Sequence, residues 1–187
     1  MENTPIVLVF AGPNGSGKST VTKGFDIIGE YINADDIKKN DGCTDLEAAQ
    51  KATALRENAV ANRINFTFET VLSSPRNIEL LKKAKENGYR IEVVFVLTAD
   101  SNINVARVQN RVKNGGHDVP KDKIISRYCK SLKNLSKLLK IADIMWVIDN
   151  STEKAELIIY SKNSKIETFE TSLWDNNKIN KLINGEK

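Results

Sequence analysis

The sequence predicts an α/β domain with a largely parallel, five-stranded sheet flanked by helices, followed by a C-terminal β-hairpin and a short helix. Three observations support this fold class. Apolar runs of strand length alternate with segments of helical periodicity, and their connections are short. The first run, residues 6–11, is continuously apolar, as expected of a strand buried on both faces. A glycine-rich segment follows this run directly and precedes a helical segment.

The other elements are predicted from apolar stretches and helix-boundary signals. Four further core strands are expected over residues 30–33, 64–71, 90–97 and 142–149. Helices are expected over residues 44–63, 75–87, 101–113 and 120–140. Thr44 and Glu47 form a capping-box pattern, and Pro75 suits the first position of a helix. Residues 157–160 and 166–169 flank a polar turn and predict the hairpin, and the short helix follows Trp174.

The chain of 187 residues suits a single domain, with a core over residues 6–150 and the hairpin and helix over residues 151–187. Its 40% hydrophobic and 28% charged residues exclude collagen-like and predominantly disordered chains. No apolar run approaches the roughly 20 residues of a membrane span. The first residues lack a secretory pattern, and Cys43 and Cys129 alone make a poor disulfide framework. We therefore expect a cytoplasmic protein that does not enter a membrane.

Positive charge is concentrated in the middle of the chain. Residues 82–140 carry 14 basic and 5 acidic side chains, a net charge of +9, whereas the whole chain has +4. Such a segment indicates a surface that meets phosphate-bearing small molecules or nucleic acid, although a lysine-coated helix face would have the same composition. Few aromatic residues that could stack on bases lie in the segment, which argues against nucleic acid without excluding it.

The strongest chemical signal is a match of residues 12–19 to the pattern G-x-x-x-x-G-K-[ST], between a strand and a helix. In this context the backbone amides surround phosphate groups, Lys18 reaches the outer phosphates, and Ser19 offers a hydroxyl to Mg²⁺. The residues expected to bind the nucleotide are Gly12, Pro13, Asn14, Gly15, Ser16, Gly17, Lys18, Ser19 and Thr20. The guanine-recognition sequence Asn-Lys-x-Asp is missing, since residues 177–180 lack its carboxylate. ATP with Mg²⁺ is therefore the expected ligand.

Later motifs resemble those of the zeta-toxin family of P-loop kinases, and the resemblance runs over about residues 6–150. Its marks are FAGPNGSGKST at 10–20, INADDI at 32–37, FET at 68–70, GGHDVP at 115–120 and DNS at 149–151. The resemblance implies transfer of the γ-phosphate of ATP to a hydroxyl of a small acceptor. It suggests UDP-N-acetylglucosamine or another sugar nucleotide as that acceptor, and an antitoxin as a protein partner.

Asp35 is the predicted general base and a predicted contact of the acceptor. It follows the second strand, where ligands bind in sheets of this kind, and a carboxylate there can accept a hydroxyl proton or position Mg²⁺. Capping of a helix N-terminus is the alternative role. Aligned by eye, the family's base falls on Asn33, which cannot take a proton, so the role would pass to Asp35.

Glu69 and Thr70 are predicted to contact the acceptor. They stand near the carboxyl end of the third strand, and a carboxylate in an apolar strand is costly to bury without a partner. A substrate hydroxyl would be such a partner, and the resemblance implies this contact for Glu69. A salt bridge to a neighbouring Lys or Arg is the alternative.

Basic residues on two helices are predicted to act on the phosphoryl group and the substrate. Arg107 and Arg111 are four residues apart and so share one helix face. The resemblance implies that Arg107 stabilises the moving phosphoryl group, as arginines do in such reactions. The family's second arginine falls on His117, and Arg127 is the expected replacement as a catalytic residue. Arg111 and His117 are expected to contact substrate; for them and for Arg127, a solvated helix face or lid is the alternative.

Two other function classes stay open at this level. One is a nucleic-acid-associated ATPase or polynucleotide kinase, for which the basic segment argues and which would bind DNA or RNA in a salt-dependent way. The other is a nucleotide-binding partner protein without transferase chemistry.

Overall fold

A computed structural model describes residues 4–186. The strands are β1 Ile6–Ala11, β2 Glu30–Ile32, β3 Phe66–Thr70, β4 Arg90–Leu97, β5 Ile144–Asp149, β6 Glu156–Lys162 and β7 Lys165–Thr168. They form one sheet in the order β2-β3-β1-β4-β5-β6-β7. Strands β1 to β5 are parallel, whereas β6 and β7 are antiparallel to their neighbours. The α/β fold class and the largely parallel sheet are thus confirmed.

The predicted hairpin is part of the same sheet, which therefore has seven strands rather than five. Strand β6 pairs with β5 along its length and buries Ile158 and Ile159 in the core. Asn163 and Ser164 connect β6 to β7 with positive φ angles of 50° and 65°. Two such residues form the tight turn that matches the twist of antiparallel strands.

The helices are α1 Lys18–Val21, α2 Ala34–Asp41, α3 Asp45–Ala61, α4 Arg76–Glu86, α5 Ser101–Lys113, α6 Lys121–Leu139 and α7 Asn176–Asn184, with a 3₁₀ turn at Thr22–Gly24. Helix α2 was not predicted, because it has no buried residue and hence no apolar periodicity. It forms between two end signals. Asn33 Oδ1 accepts a hydrogen bond from the Asp35 amide, and Gly42 ends the helix in the left-handed conformation.

The two faces of the sheet are covered unequally. Helices α3, α4, α6 and α7 cover one face, where Val7 and Val9 of β1 are fully buried. The other face, which includes Leu8 and Phe10, is covered by residues of α1 and of the segment 25–28. Helix α5 packs against α6 through a small separate cluster that includes Val105 and Ile124. Because β1 to β5 are parallel, their carboxyl ends and the loops that follow them meet at one edge of the sheet.

Among residues 4–186, no helix is both long and apolar enough to cross a membrane.

The packing of the core predicts that two leucines in helices contribute differently to the free energy of unfolding. Leu81 of α4 is fully buried, whereas Leu46 of α3 is 69% exposed. Leu81→Ala should lower the free energy of unfolding by about 2–5 kcal/mol, because it removes buried apolar contacts and leaves a cavity. Leu46→Ala should change it by less than about 0.5 kcal/mol. Equilibrium unfolding in urea measures both, and equal losses would contradict this packing.

Candidate functional site

The loop between β1 and α1, which we name the phosphate loop, has a backbone conformation at three positions that only glycine adopts readily. Gly12, Gly15 and Gly17 have φ angles of +138°, +77° and +82°. A Cβ atom added at any of them would lie within 3.0 Å of another group: the Val96 carbonyl, the Asn104 backbone and the Asn150 side chain, respectively. The backbone of the loop is thus pressed against β4, α5 and the residue after β5.

Two side-chain amides and one guanidinium from other elements donate hydrogen bonds to this loop. Asn104 Nδ2 donates to the Asn14 carbonyl at 2.7 Å, and Asn150 Nδ2 donates to the Ser16 carbonyl at 2.9 Å. Arg127 of α6 donates to Asn14 Oδ1 at 3.4 Å. Asn104 and Asn150 are not among the site residues predicted from the sequence. A signal existed for Asn104, a polar residue between Ile103 and Val105 on a helix.

Lys18 points its ammonium into a buried position beside Glu69. Its Nζ donates to the Gly12 carbonyl at 2.9 Å and to the Pro13 carbonyl at 3.4 Å, and lies 3.6 Å from Glu69 Oε1. Burial lowers the pKa of Lys18, and the Glu69 carboxylate opposes this shift. An anionic ligand would favour the charged ammonium further, since opposite charge raises the pKa of a lysine.

Tyr31, which is not among the predicted site residues, orients Glu69. The Tyr31 hydroxyl donates to Glu69 Oε2 at 3.2 Å and accepts from Asn33 Nδ2 at 3.2 Å. Burial raises the pKa of Tyr31 to about 12, so the hydroxyl remains a donor at neutral pH. Asn33 also caps α2 through its Oδ1. Asn33 therefore bridges β2 and α2.

One cleft of about 340 Å³, which we name the phosphate cleft, contains most of the predicted site residues. Those that line it are Asn14, Gly15, Gly17, Lys18, Ser19, Thr20, Asp35, Glu69, Arg107 and Arg111. Asp35 stands in the first turn of α2, and its carboxylate makes no hydrogen bond or ion pair with any residue in 4–186. It is therefore free to meet a ligand.

The two arginines of α5 flank the loop. Arg107 donates weakly to the Ser16 and Ser151 carbonyls, at 3.5 and 3.4 Å. Arg111 donates to the His117 carbonyl at 2.7 Å. Both arginines line the cleft that contains Lys18. Three cationic side chains therefore surround the space in front of the loop.

Six predicted site residues do not line this cleft: Gly12, Pro13 and Ser16 of the loop itself, and Thr70, His117 and Arg127 outside the loop. The Thr70 hydroxyl accepts hydrogen bonds from the Leu72 amide at 2.9 Å and from Asn77 Nδ2 at 2.7 Å, which ties it to the turn after β3. His117 is exposed on the connection between α5 and α6. Arg127 reaches the loop only through Asn14, as described above.

The residues present fit a polyphosphate and a magnesium ion. The Ser16 hydroxyl is buried without a hydrogen-bond partner in the described residues, and the three glycines let the backbone surround a ligand. No group of three or more His, Cys, Asp or Glu side chains within 4–186 could hold a metal. Mg²⁺ needs none, because at such sites it binds one or two protein oxygens plus the phosphates, and Ser19 would supply the protein oxygen.

A parallel sheet whose first strand leads through a glycine loop to a buried lysine defines a P-loop protein. The family described as Zeta toxin matches residues 26–177, a range that begins after the loop itself. The chain therefore belongs to the zeta-toxin family of P-loop kinases. An uncharacterized protein of Haemophilus influenzae is 35% identical over 134 residues, which cover 68% of this chain and 94% of the relative.

Two solved structures share the fold at low identity. The AvrRxo1-ORF1:-ORF2 structure with ATP has a TM-score of 0.73 and 12% identity, and covers 97% of this chain. This chain spans 64% of the length of that protein. The PezAT chromosomal toxin-antitoxin system of Streptococcus pneumoniae has a TM-score of 0.56 and 15% identity, and covers 99% of this chain and 85% of that one.

The outer support of the loop can be tested at Asn150. Asn150→Ala removes the hydrogen bond to the Ser16 carbonyl and should weaken binding of Mg-ATP about threefold to tenfold. Asn102→Ala, on the exposed side of α5, is the matched control and should leave the affinity nearly unchanged. Isothermal titration calorimetry measures both; an unchanged affinity in Asn150→Ala would show that the amide does not organise the loop for nucleotide.

Proposed function

We propose that this protein is a small-molecule kinase that binds ATP with Mg²⁺ and transfers the γ-phosphate to a hydroxyl of a small acceptor. One observation carries the proposal. A single cleft brings Lys18 and two arginines together with the carboxylates of Asp35 and Glu69. Phosphoryl transfer needs this combination: cations for the charge on the moving group, and a carboxylate for the attacking hydroxyl.

The nucleotide side of the site is formed by the loop and α5. The loop amides and Lys18 would hold the phosphates, and Ser19 would supply the protein ligand of Mg²⁺. Such an ion would neutralise phosphate charge and help to orient the transferring group. Arg107 and Arg111 flank the loop and stabilise negative charge as it spreads over that group.

The acceptor side is formed by β2, α2 and β3. Both Glu69 oxygens are engaged, one facing Lys18 and the other accepting from Tyr31. The carboxylate of Asp35 has no such partner. We therefore assign the proton-accepting role to Asp35, and assign to Glu69 the role of binding and orienting the acceptor hydroxyl.

The class of acceptor is proposed from the family resemblance. A sugar nucleotide such as UDP-N-acetylglucosamine offers hydroxyls of the required kind. The residues that line the cleft do not indicate that the acceptor must carry a nucleobase or a phosphate. Other compounds with hydroxyl groups should therefore be tested in the same assay.

Substitution of Asp35 tests the base assignment. Phosphorylation by Mg-ATP is measured with a panel of sugar nucleotides, nucleosides and oligonucleotides. Asp35→Asn should lower kcat with the best acceptor about 100-fold or more, since general bases contribute on this order, and should leave ATP affinity nearly unchanged. Asp36→Asn is the matched control, because Asp36 is exposed and does not line the cleft. If Asp35→Asn keeps most of the acceptor-dependent rate, the assignment is wrong.

The positions of the basic residues argue against the nucleic-acid alternative, because these residues lie at two separate clefts. Its arginines 107 and 111 line the phosphate cleft, and Arg127 contacts the phosphate loop. Lys130 and Lys133 of the same segment border a different cleft. Oligonucleotides should therefore be poor acceptors, and any binding of DNA or RNA should be weak at physiological salt.

We further propose that the protein acts as a toxin with an antitoxin partner, as family membership suggests. Expression of the native chain in a bacterial host should arrest growth, and Lys18→Ala should abolish the arrest because the nucleotide is no longer held. Lys23→Ala, an exposed lysine five residues on, should remain toxic. Growth arrest that persists in Lys18→Ala would separate toxicity from ATP chemistry.

A further inference from the structure

A second and larger cleft, which we name the α6/α7 cleft, lies beside the C-terminal helix. Its volume is about 710 Å³, and it shares no lining residue with the phosphate cleft. Its walls are Tyr128 and Leu132 of α6, Leu173 and Trp174 of the segment before α7, and Leu182 of α7. The proposed kinase reaction uses none of these residues.

The apolar walls of the α6/α7 cleft are recessed. Trp174, Leu182 and Tyr128 are only 5%, 6% and 9% exposed, although all three line the cleft. These apolar side chains therefore form the inner wall of the cleft rather than an exposed surface patch.

The polar residues of this cleft are mostly cationic. Lys130 and Lys133 project from α6, and Lys178 and Lys181 from α7, while Glu186 is the one acidic residue of the lining. Lys178 also donates to the Leu173 carbonyl at 2.8 Å. Apolar walls together with four lysines in the lining complement a molecule that has an apolar body and an anionic end.

We propose that the α6/α7 cleft binds a small amphipathic organic anion, with its apolar body against Trp174 and Leu182 and its carboxylate, sulfonate or phosphate among the four lysines. The volume lies within the range of small-ligand sites, about 300–1,000 Å³. The recessed walls favour a small molecule over a protein partner, since protein interfaces offer apolar side chains that are exposed before binding. The proposal is independent of the kinase function and of the phosphate loop.

Two fluorescent probes that differ in one charged group test this site on the full-length protein. Anilinonaphthalene sulfonate has an aromatic body and a sulfonate, whereas N-phenylnaphthylamine has the same body without the charge. The sulfonate should bind saturably with one site per chain, and the neutral probe about fivefold or more weaker, because it cannot use the lysines. Mg-ATP should not displace either probe, and Lys18→Ala should not change their affinities.

The two cysteines report where the probe binds. Cys129 is exposed and lines the α6/α7 cleft, whereas Cys43 lies outside it between α2 and α3. Bound sulfonate should slow maleimide labelling of Cys129 and leave the labelling of Cys43 unchanged. Single-cysteine variants, Cys43→Ser and Cys129→Ser, separate the two rates.

Paired lysine variants test the charged rim. Lys133→Gln combined with Lys181→Gln should weaken binding of the sulfonate about fivefold and leave the neutral probe almost unaffected. The control is Lys82→Gln combined with Lys154→Gln, which removes two exposed lysines elsewhere. All these substitutions are at exposed positions, and a melting temperature near that of the native chain shows that the fold is intact.

Several results would overturn the proposal. These are equal affinity for the two probes, displacement by Mg-ATP, an equal loss in the control variant, or no protection of Cys129. Analytical ultracentrifugation could also show that the chain forms dimers in which Cys129 is protected before any probe is added. The cleft would then be an interface between two copies of the chain, and the small-molecule proposal would be wrong.

Discussion

The close approach of the phosphate loop to its neighbours is the constraint on which the site depends. Gly12, Gly15 and Gly17 lie where a side chain would collide with the Val96 carbonyl, the Asn104 backbone and the Asn150 side chain. These three neighbours come from β4, α5 and the segment after β5, all distant from the loop in sequence. The shape of the loop therefore depends on contacts that the centre of the assembled sheet supplies.

Charge balance around Lys18 follows from that arrangement. The ammonium is desolvated, which lowers its pKa, and the Glu69 carboxylate offsets part of the cost. Arg111 adds a further positive charge that lowers the pKa of Lys18. A bound polyphosphate would compensate for the desolvation of the ammonium and reduce the repulsion between the cations, whereas an uncharged ligand would do neither. The electrostatics of the site therefore favour an anionic ligand.

The parts of the fold that were predictable are those with local signals. Strand β4 and helix α5 begin and end at the predicted residues, because apolar periodicity and boundary residues mark them. Helix α2 has no apolar face, and its end signals, Asn33 and Gly42, are recognisable only once the helix is known. The roles of Tyr31 and Asn104 depend on which strands are adjacent, since their partners Glu69 and Asn14 are 38 and 90 residues away. Sequence periodicity does not contain that information.

The basic segment shows why net charge alone does not identify a partner. Within one helix, Arg127 contacts the phosphate loop, whereas Lys130 and Lys133 border the α6/α7 cleft. Tyr128, between them in sequence, lines that second cleft, and its hydroxyl donates a hydrogen bond to the carbonyl of Thr98, the residue after β4. Successive residues of a helix differ by about 100° in direction. Charged residues that are only a few positions apart can therefore lie on different surfaces. The +9 charge of residues 82–140 is therefore the sum of at least two surfaces, and a single extended anion such as nucleic acid is not needed to account for it.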